Sequence, residues 1–164
     1  MTVLRLAALP LLLAALLTSC GGAPVAEPPA FDPAWTASPY ELLLTVEGGA
    51  DPVGGYLIEI RFDPARIRVT QVGGGADAGF GDAPASDRSA YDTGRVRLAA
   101  VRSEESVQAG TVRVARVQFS PVPGAAGEGA VEASLLDCAD AEGRRIVGAG
   151  VGTSTAAFRL GDPG

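Results

Sequence analysis

Residues 53–72 constrain the fold more than any other part of the chain, because they contain two stretches of alternating apolar and polar side chains. In the first stretch four large apolar residues occupy every second position: Tyr56, Ile58, Ile60 and Phe62. A period of two with aromatic and β-branched residues is typical of a strand with one buried face. Asp63-Pro64 interrupts the pattern, since proline fixes its own φ and disfavours the helical region for the preceding residue. The segment therefore predicts two strands, 54–62 and 66–72, in a buried, hairpin-like unit around an Asp-Pro corner.

Short alternating runs separated by glycine, proline and acidic turns continue along the chain. They predict further strands at the following positions: 40–46, 95–100, 111–120, 131–135, 146–147 and 153–160. The long loop 73–93 is predicted to contain one more short strand, near Phe80. Within 111–120 the apolar residues change parity, which predicts a β-bulge near Ala115-Arg116. With 22 Gly, 12 Pro and no convincing helical period, the predicted fold class is an all-β, antiparallel β-sandwich of about nine strands.

The composition excludes several kinds of chemistry. The chain has no Lys, His or Asn, so all 13 basic residues are arginine. Without histidine, neither a Ser-His-Asp triad nor an imidazole metal ligand is available. Without lysine, Schiff-base and P-loop chemistry are also excluded. The net charge of −6 argues against a nucleic-acid partner, because such binding depends on neutralising phosphates. Catalysis that depends on histidine or lysine and binding to nucleic acid are therefore not expected.

The N-terminus has the layout of a secretory signal. Arg5 precedes an apolar run at 6–17, which is too short for a membrane-spanning helix. The run ends in Leu-Thr-Ser-Cys, which resembles the bacterial lipobox and implies cleavage after residue 19 and lipidation of Cys20. The alternative is an ordinary signal peptide with a coincidental cysteine. On the lipoprotein interpretation, residues 1–19 are the signal peptide, and the mature chain is extracytoplasmic, held at the outer membrane or the cell surface by its acyl chains.

Residues 20–38 are rich in Pro, Gly and Ala and are predicted to form a partly extended linker. Trp35, the only tryptophan, is predicted to anchor this linker on the domain, with a role in binding as the alternative. The folded domain is predicted to span 39–164, which is long enough to be stable without disulfides. Cys138 has no cysteine partner there and is predicted to be a small buried thiol, with an exposed redox thiol as the alternative.

An acidic turn near the C-terminus is the best candidate for a metal site. Asp137, Asp140 and Glu142 lie within six residues, and carboxylate oxygens are the ligands that Ca²⁺ prefers. The alternative is that Asp140 accepts hydrogen bonds from the backbone of the turn. The sequence therefore indicates a structural calcium ion or a self-capped turn at this position. No other cofactor is expected.

Arginines recur at outward positions of the predicted strands. The candidate partner-binding residues are Arg61, Arg95, Arg97, Arg113 and Arg116. One interpretation is a sheet face that recognises an acidic partner or glycan carboxylates. The other is that the charges keep the sheet soluble and prevent edge-to-edge pairing.

Three segments, taken in order, resemble the cohesin family. Residues 53–67 have a glycine-led strand, an aromatic-Asp-Pro corner and a second strand that opens on an aliphatic residue. Residues 110–119 are similar to the family's late strand, which ends on Phe, and 139–146 are similar to its acidic turn before the final strands. The resemblance implies a nine-stranded jelly-roll sandwich, related to certain carbohydrate-binding modules, over about residues 40–160.

The resemblance also implies a binding role. The best-known cohesins bind dockerin modules and so attach polysaccharide-degrading enzymes to a scaffold or a cell surface. We therefore expect a lipid-anchored module of the cell envelope that attaches to a protein partner, either dockerin-like or another envelope protein. Binding of a polysaccharide and a structural role in an envelope assembly are the alternatives.

Overall fold

The alternating runs form nine strands in the computed structural model, which describes residues 38–102, 109–153 and 155–161. The strands are β1 (Glu41–Glu47), β2 (Gly55–Phe62), β3 (Ile67–Gly74), β4 (Ala85–Ser86), β5 (Arg95–Val101), β6 (Thr111–Pro121), β7 (Gly127–Ala139), β8 (Gly150–Val151) and β9 (Thr155–Leu160). A single 3₁₀ turn, Arg88–Ala90, is the only helical element in these ranges. The predicted signal peptide, Cys20 and Trp35 lie outside the described residues.

The strands form two antiparallel sheets that enclose one core. The four-stranded sheet has the order β3-β6-β1-β8, and the five-stranded sheet has the order β4-β5-β2-β7-β9. All strand pairs are antiparallel. The predicted all-β sandwich is therefore confirmed. Within the described ranges, no helix is long and apolar enough to cross a membrane.

The prediction that 54–62 and 66–72 form a hairpin-like unit is wrong. β2 pairs with β5 and β7, whereas β3 pairs with β6 in the other sheet. At the corner, the carbonyl of Asp63 accepts the backbone N–H groups of Arg66 and Ile67, and its carboxylate accepts that of Ala65. This turn carries the chain from one sheet to the other. Alternation records which face of a strand is buried, so two strands that face the same core from opposite sheets have the same pattern as a hairpin.

The predicted β-bulge is confirmed within one residue. In the pairing of β1 with β6, Leu44 lies opposite Ala115 and Thr45 lies opposite Arg113, so Val114 is the extra residue. Val114 and Ala115 are both fully buried. The bulge thus keeps the apolar residues of β6 on the core side although their parity changes.

Two short predicted strands are not strands in the structure. Phe80 is buried against Tyr56, with ring centroids 5.6 Å apart, but lies in a loop; the short strand of this region is β4. Ile146 is also buried, next to a single bridge between Ala139 and Arg145, while Val147 is 92% exposed. In both cases one apolar side chain reaches the core from irregular backbone, which an alternation pattern does not distinguish from a strand.

Both sheets contribute to the core. Its largest fully buried residues are Leu44, Ile58, Ile60, Ile67, Leu98 and Phe119. The Tyr56 hydroxyl donates a hydrogen bond of 3.2 Å to the carbonyl of Val114, which links β2 of one sheet to β6 of the other. Burial raises the pKa of this phenol, so it stays a neutral donor at physiological pH. Cys138 is buried as predicted, and burial together with neighbouring Asp137 raises the pKa of its thiol.

The segment after β3 packs so closely against the backbone of β6 that only glycine fits at position 75. A Cβ on Gly75 would overlap the backbone of Arg113 and Val114, whereas a Cβ on Gly81 in the same loop would meet nothing within 4 Å. The backbone N–H of Gly75 donates to the carbonyl of Phe80 at 2.7 Å, so the loop is closed on itself at this point.

We therefore expect Gly75→Ala to lower the free energy of unfolding by about 1–3 kcal/mol, because the added methyl displaces the backbone of β6. Gly81→Ala, in the same loop, should change it by less than about 0.5 kcal/mol. Urea unfolding followed by circular dichroism measures both. Equal midpoints for the two variants would show that the loop does not pack on β6 as described.

Candidate functional site

The outer face of the five-stranded sheet carries the polar residues that alternate with the core residues of β2. Leu57, Glu59 and Arg61 point outward there. Strand register places Ala99 opposite Leu57, Arg97 opposite Glu59, and Arg95 opposite Arg61. The predicted outward positions of Arg61, Arg95 and Arg97 are thus confirmed, and the fold brings these three arginines together.

A carboxylate lies between two of these arginines. The Nε and Nη2 of Arg61 contact Oε1 of Glu59 at 2.8 Å each, and Nε of Arg97 donates to Oε2 at 3.0 Å. The Glu59 side chain is only 3% exposed, while those of Arg61 and Arg97 are 64% and 58% exposed. Hydrogen bonds from Arg61 and then from Arg97 hold the pKa of Glu59 below its usual value. Glu59 is therefore an ionised clamp that orients two exposed guanidinium groups.

The third arginine of this cluster has no such clamp. Arg95 lies directly opposite Arg61, and its guanidinium makes no hydrogen bond or ion pair with any residue that the structure describes. Like charges that face each other across two strands are destabilising. On its other side Arg61 faces Glu132 of β7. We call Glu59, Arg61, Arg95 and Arg97 the arginine end of this face.

The opposite end of the same face carries mainly aliphatic side chains, with Asp137 of β7 opposite Leu57 and paired with Arg145 at 3.4 Å. We call Leu57, Ala99, Val101 and Leu136 the aliphatic end. Val101 is 83% exposed and lies opposite Gly55, two residues beyond the Leu57–Ala99 pair. The β2–β7 register skips a residue between Leu57 and Ile58, which leaves Leu136 as the extra residue of a bulge, 39% exposed. The bulge directs Leu136 toward solvent, so two large aliphatic side chains flank Leu57.

The other two predicted arginines lie elsewhere. Arg113 and Arg116 are on β6, in the four-stranded sheet on the far side of the core. Nε of Arg116 donates to the carbonyl of Gly74 at 3.1 Å, and Arg113 is paired with Asp77. The five arginines therefore do not form one face, because β6 pairs with β1 and β3 rather than with β2 or β5.

The three carboxylates of the predicted calcium site do not come together. Asp140 accepts the backbone N–H groups of Glu142 and Arg144 and forms an ion pair with the Arg144 guanidinium at 2.7 Å. Glu142 also contacts Arg144, at 3.0 Å, while Asp137 lies 3.4 Å from Arg145. Among the described residues, no group of three or more acidic, His or Cys side chains is arranged to hold a metal ion. The turn is capped by Asp140 itself, which was the alternative interpretation.

An open cleft of about 800 Å³ lies where β2, β7 and β9 meet, and three of its lining residues are acidic and exposed: Asp63, Glu128 and Glu132. Asp63 forms an ion pair with Arg66 at 3.3 Å. The two glutamates stand four residues apart on a regular part of β7, which corresponds to about 13 Å along a strand. The carboxyl groups of glycosidases are about 5–9.5 Å apart. The spacing of these two glutamates does not match that of a glycosidase pair.

Comparison with known proteins identifies the fold. No protein-family model matches the chain, and none of the curated proteins matches it. The solution structure of CaCohA2 from Clostridium acetobutylicum has a TM-score of 0.55 at 16% identity, over 73% of this chain and 79% of that one. A chain in the crystal structure of a complex of a CaDoc0917 variant with CaCohA2 has a TM-score of 0.53 at 18% identity, over 65% and 79%.

The fold is cohesin-like. This agrees with the resemblance of residues 53–67, 110–119 and 139–146 to the cohesin family. At 16% and 18% identity, the similarity to these structures concerns the fold alone. Within the cohesin-like domain, these three segments form the corner after β2, the main part of β6 and the acidic turn after β7.

Sequence reasoning missed the aliphatic end of the face. Val101 belongs to an alternating run but points outward at its end, beside the Gly55 backbone. Leu136 follows Leu135 and breaks the alternation of β7, which is the one signal in the sequence that a bulge directs an aliphatic residue outward. The clamp role of Glu59 was missed as well, although it is the only acid among the outward residues of β2.

Arg113 holds the loop after β3 in the cohesin-like domain. Its backbone N–H and Nε donate to the two carboxylate oxygens of Asp77 at 2.7 and 2.9 Å, and its Nη2 makes a further short contact. These bonds lower the pKa of Asp77, and the side-chain hydrogen bonds from Arg113 have the largest effect. The pair gives the loop that contains Gly75 a second attachment to β6.

Because the folded-state pKa of Asp77 is depressed, its stabilising effect is present above the unfolded carboxyl pKa of about 4 and is lost as the pH falls through the folded value. We expect Asp77→Asn to destabilise the domain by about 1 kcal/mol at pH 7, since the half-exposed Arg113 side chain is partly screened by solvent. Below a pH of about 4 the difference from wild type should shrink. Urea unfolding across this acidic range and at pH 7 measures the effect, with exposed Asp82→Asn as the control.

Proposed function

We propose that this chain is a non-catalytic, lipid-anchored module of the cell envelope that binds a partner protein through the outer face of the five-stranded sheet. The observation that carries the proposal is the composition of that face: exposed aliphatic side chains at one end and oriented, exposed arginines at the other. Arginine is enriched at protein–protein interfaces and lysine is depleted there, and burial of exposed aliphatic side chains favours association.

The structural likeness supports a protein partner. CaCohA2, which has a similar fold, forms a complex with a variant of CaDoc0917. The candidates for the partner are accordingly a dockerin-like protein and another protein of the envelope. The likeness itself concerns the fold, so the choice of face depends on the residues of this chain.

A sugar-binding surface usually presents aromatic rings to solvent. In the described part of the chain, the large exposed hydrophobic residues are all aliphatic: Leu43, Val101, Leu136 and Val147. The aromatic side chains of residues 38–161 that the structure describes either lie in the core or pack against it, as Tyr40 does on Phe158. The face therefore fits a protein better than a polysaccharide.

Substitution of one aliphatic residue on each sheet tests the choice of face. Full-length protein, purified in detergent and immobilised, is exposed to solubilised envelope proteins and, in parallel, to a glycan array. Leu136→Arg should reduce capture of the partner at least about tenfold, because a charge then has to be buried in the aliphatic end. Leu43→Arg is the matched control, since Leu43 has almost the same exposure on the outer face of the other sheet, 38% against 39%.

Unchanged capture by Leu136→Arg, or an equal loss with Leu43→Arg, would contradict the proposed face. Binding to glycans without any protein partner would contradict the proposed partner class. Both variants should unfold at the urea midpoint of the wild type, which confirms that the substitutions act on binding.

The lipid anchor is tested separately. We expect Cys20→Ser to abolish incorporation of a labelled fatty acid into the protein, because the acyl chains would be attached at this residue. Cys138→Ala is the control and should still incorporate the label, since Cys138 is buried in the core. Labelling of the Cys20→Ser protein at the level of the wild type would contradict lipidation at this residue.

A further inference from the structure

We infer that the partner is acidic at the contact: its surface places carboxylate groups over β5 at the arginine end and an aliphatic side chain over the aliphatic end. This inference rests on the proposed function and specifies the chemistry of the partner. Four features of the face support this inference: the uncompensated positive charge, the available guanidinium donors, the distribution of charge across the strands, and the exposed aliphatic residues.

The arginine end holds more positive charge than its own acids neutralise. Arg61 and Arg95 face each other with Cβ atoms about 5 Å apart, and among the described residues Glu59 is the only carboxylate in an ion pair with the cluster. Glu132 faces Arg61 from β7, so three arginines lie beside two carboxylates. Both oxygens of Glu59 are already engaged by Arg61 and Arg97. Arg95 therefore forms no ion pair with a carboxylate among the described residues. A partner carboxylate placed beside it would relieve the repulsion between Arg95 and Arg61.

The clamp leaves donors available for a second carboxylate. Arg97 donates to Glu59 through its Nε, neither of its terminal nitrogens is hydrogen-bonded to a described residue, and its side chain is 58% exposed. Two terminal N–H donors match the two oxygens of a carboxylate. Glu59 holds the guanidinium plane in place beforehand, which lowers the entropy lost when a partner binds. Arg97 and Arg95 are neighbours on the same face of β5 and together offer one continuous donor surface.

Charge is distributed unevenly across the face, and this orients the partner. The outward charges of β5 are positive, at Arg95 and Arg97, whereas those of β7 are negative, at Glu128, Glu132 and Asp137. An acidic segment is attracted to β5 and repelled from β7. The chain as a whole has a net charge of −6, so this strand is a positive exception on an acidic protein. Such an arrangement selects partners and sets their orientation more than it adds affinity.

The aliphatic end supplies the apolar part of the contact. Val101 lies on the same face of β5 as Arg97, with Ala99 between them at the intervening outward position. The same strand therefore presents two arginines, a small residue and an exposed valine in a row. A complementary segment has two carboxylates followed by an aliphatic residue about four positions away.

Defined peptides test this chemistry and do not require the partner to be identified. The probes are synthetic peptides of about 12 residues in three matched sets: acidic residues with Leu, the same sequences with Gln and Asn in place of the acids, and the same with Lys. Full-length protein in detergent is the binder. We expect the acidic set to bind at least about tenfold more tightly than the neutral set, with a difference that falls as NaCl is raised from about 50 to about 500 mM.

Charge reversal locates the contact. Arg95→Glu and Arg97→Glu should each remove the preference for acidic peptides, while Arg68→Glu, an exposed arginine on the other sheet with the same change in net charge, should retain it. Equal binding of acidic and neutral peptides, or an equal loss with Arg68→Glu, would overturn the inference. If Leu136→Arg abolishes capture of an envelope protein but peptides show no acidic preference, the proposed function stands and the acidic partner does not.

Discussion

The structure depends on the burial of one side of β2 between the two sheets. Ile58 and Ile60 are completely buried, and the Tyr56 hydroxyl bonds to the opposite sheet. β2 is the middle strand of its sheet, with β5 on one side and β7 on the other. Because side chains alternate, a register that buries these residues also places Glu59 and Arg61 on the outer face. The core and the candidate site are thus two sides of the same strand.

This connection explains why the burial pattern was predictable. Whether an apolar residue is buried depends on local alternation, and the alternating apolar residues of 54–62, 95–100 and 111–120 are buried or partly buried in the structure. The polar side chains of Glu59 and Gln118 are buried as well, which alternation did not predict. The neighbour of each strand was not predictable in the same way. The Asp-Pro corner was predicted to be a hairpin turn. In the structure the carbonyl of Asp63 closes a turn at which the chain passes from one sheet to the other. Alternation does not depend on whether the next strand belongs to the same sheet.

The candidate site was predictable only in part, for the same reason. Outward arginines are visible in the sequence, but their grouping depends on sheet order, which separates Arg113 and Arg116 from the other three. Acidic residues near the C-terminus suggested calcium because their spacing is short. In the structure Asp140 and Glu142 contact Arg144, so nearby arginines neutralise charge that a metal ion would otherwise neutralise. Without histidine or lysine, arginine takes every such role in this chain.

The bulge at Leu136 shows how such a surface can diverge while its scaffold persists. One extra residue in β7 adds an aliphatic side chain to the outside of the sheet, and the core residues on either side, Ala133 and Cys138, remain buried. Insertion or loss of a single codon at this point would add or remove a contact without repacking the interior.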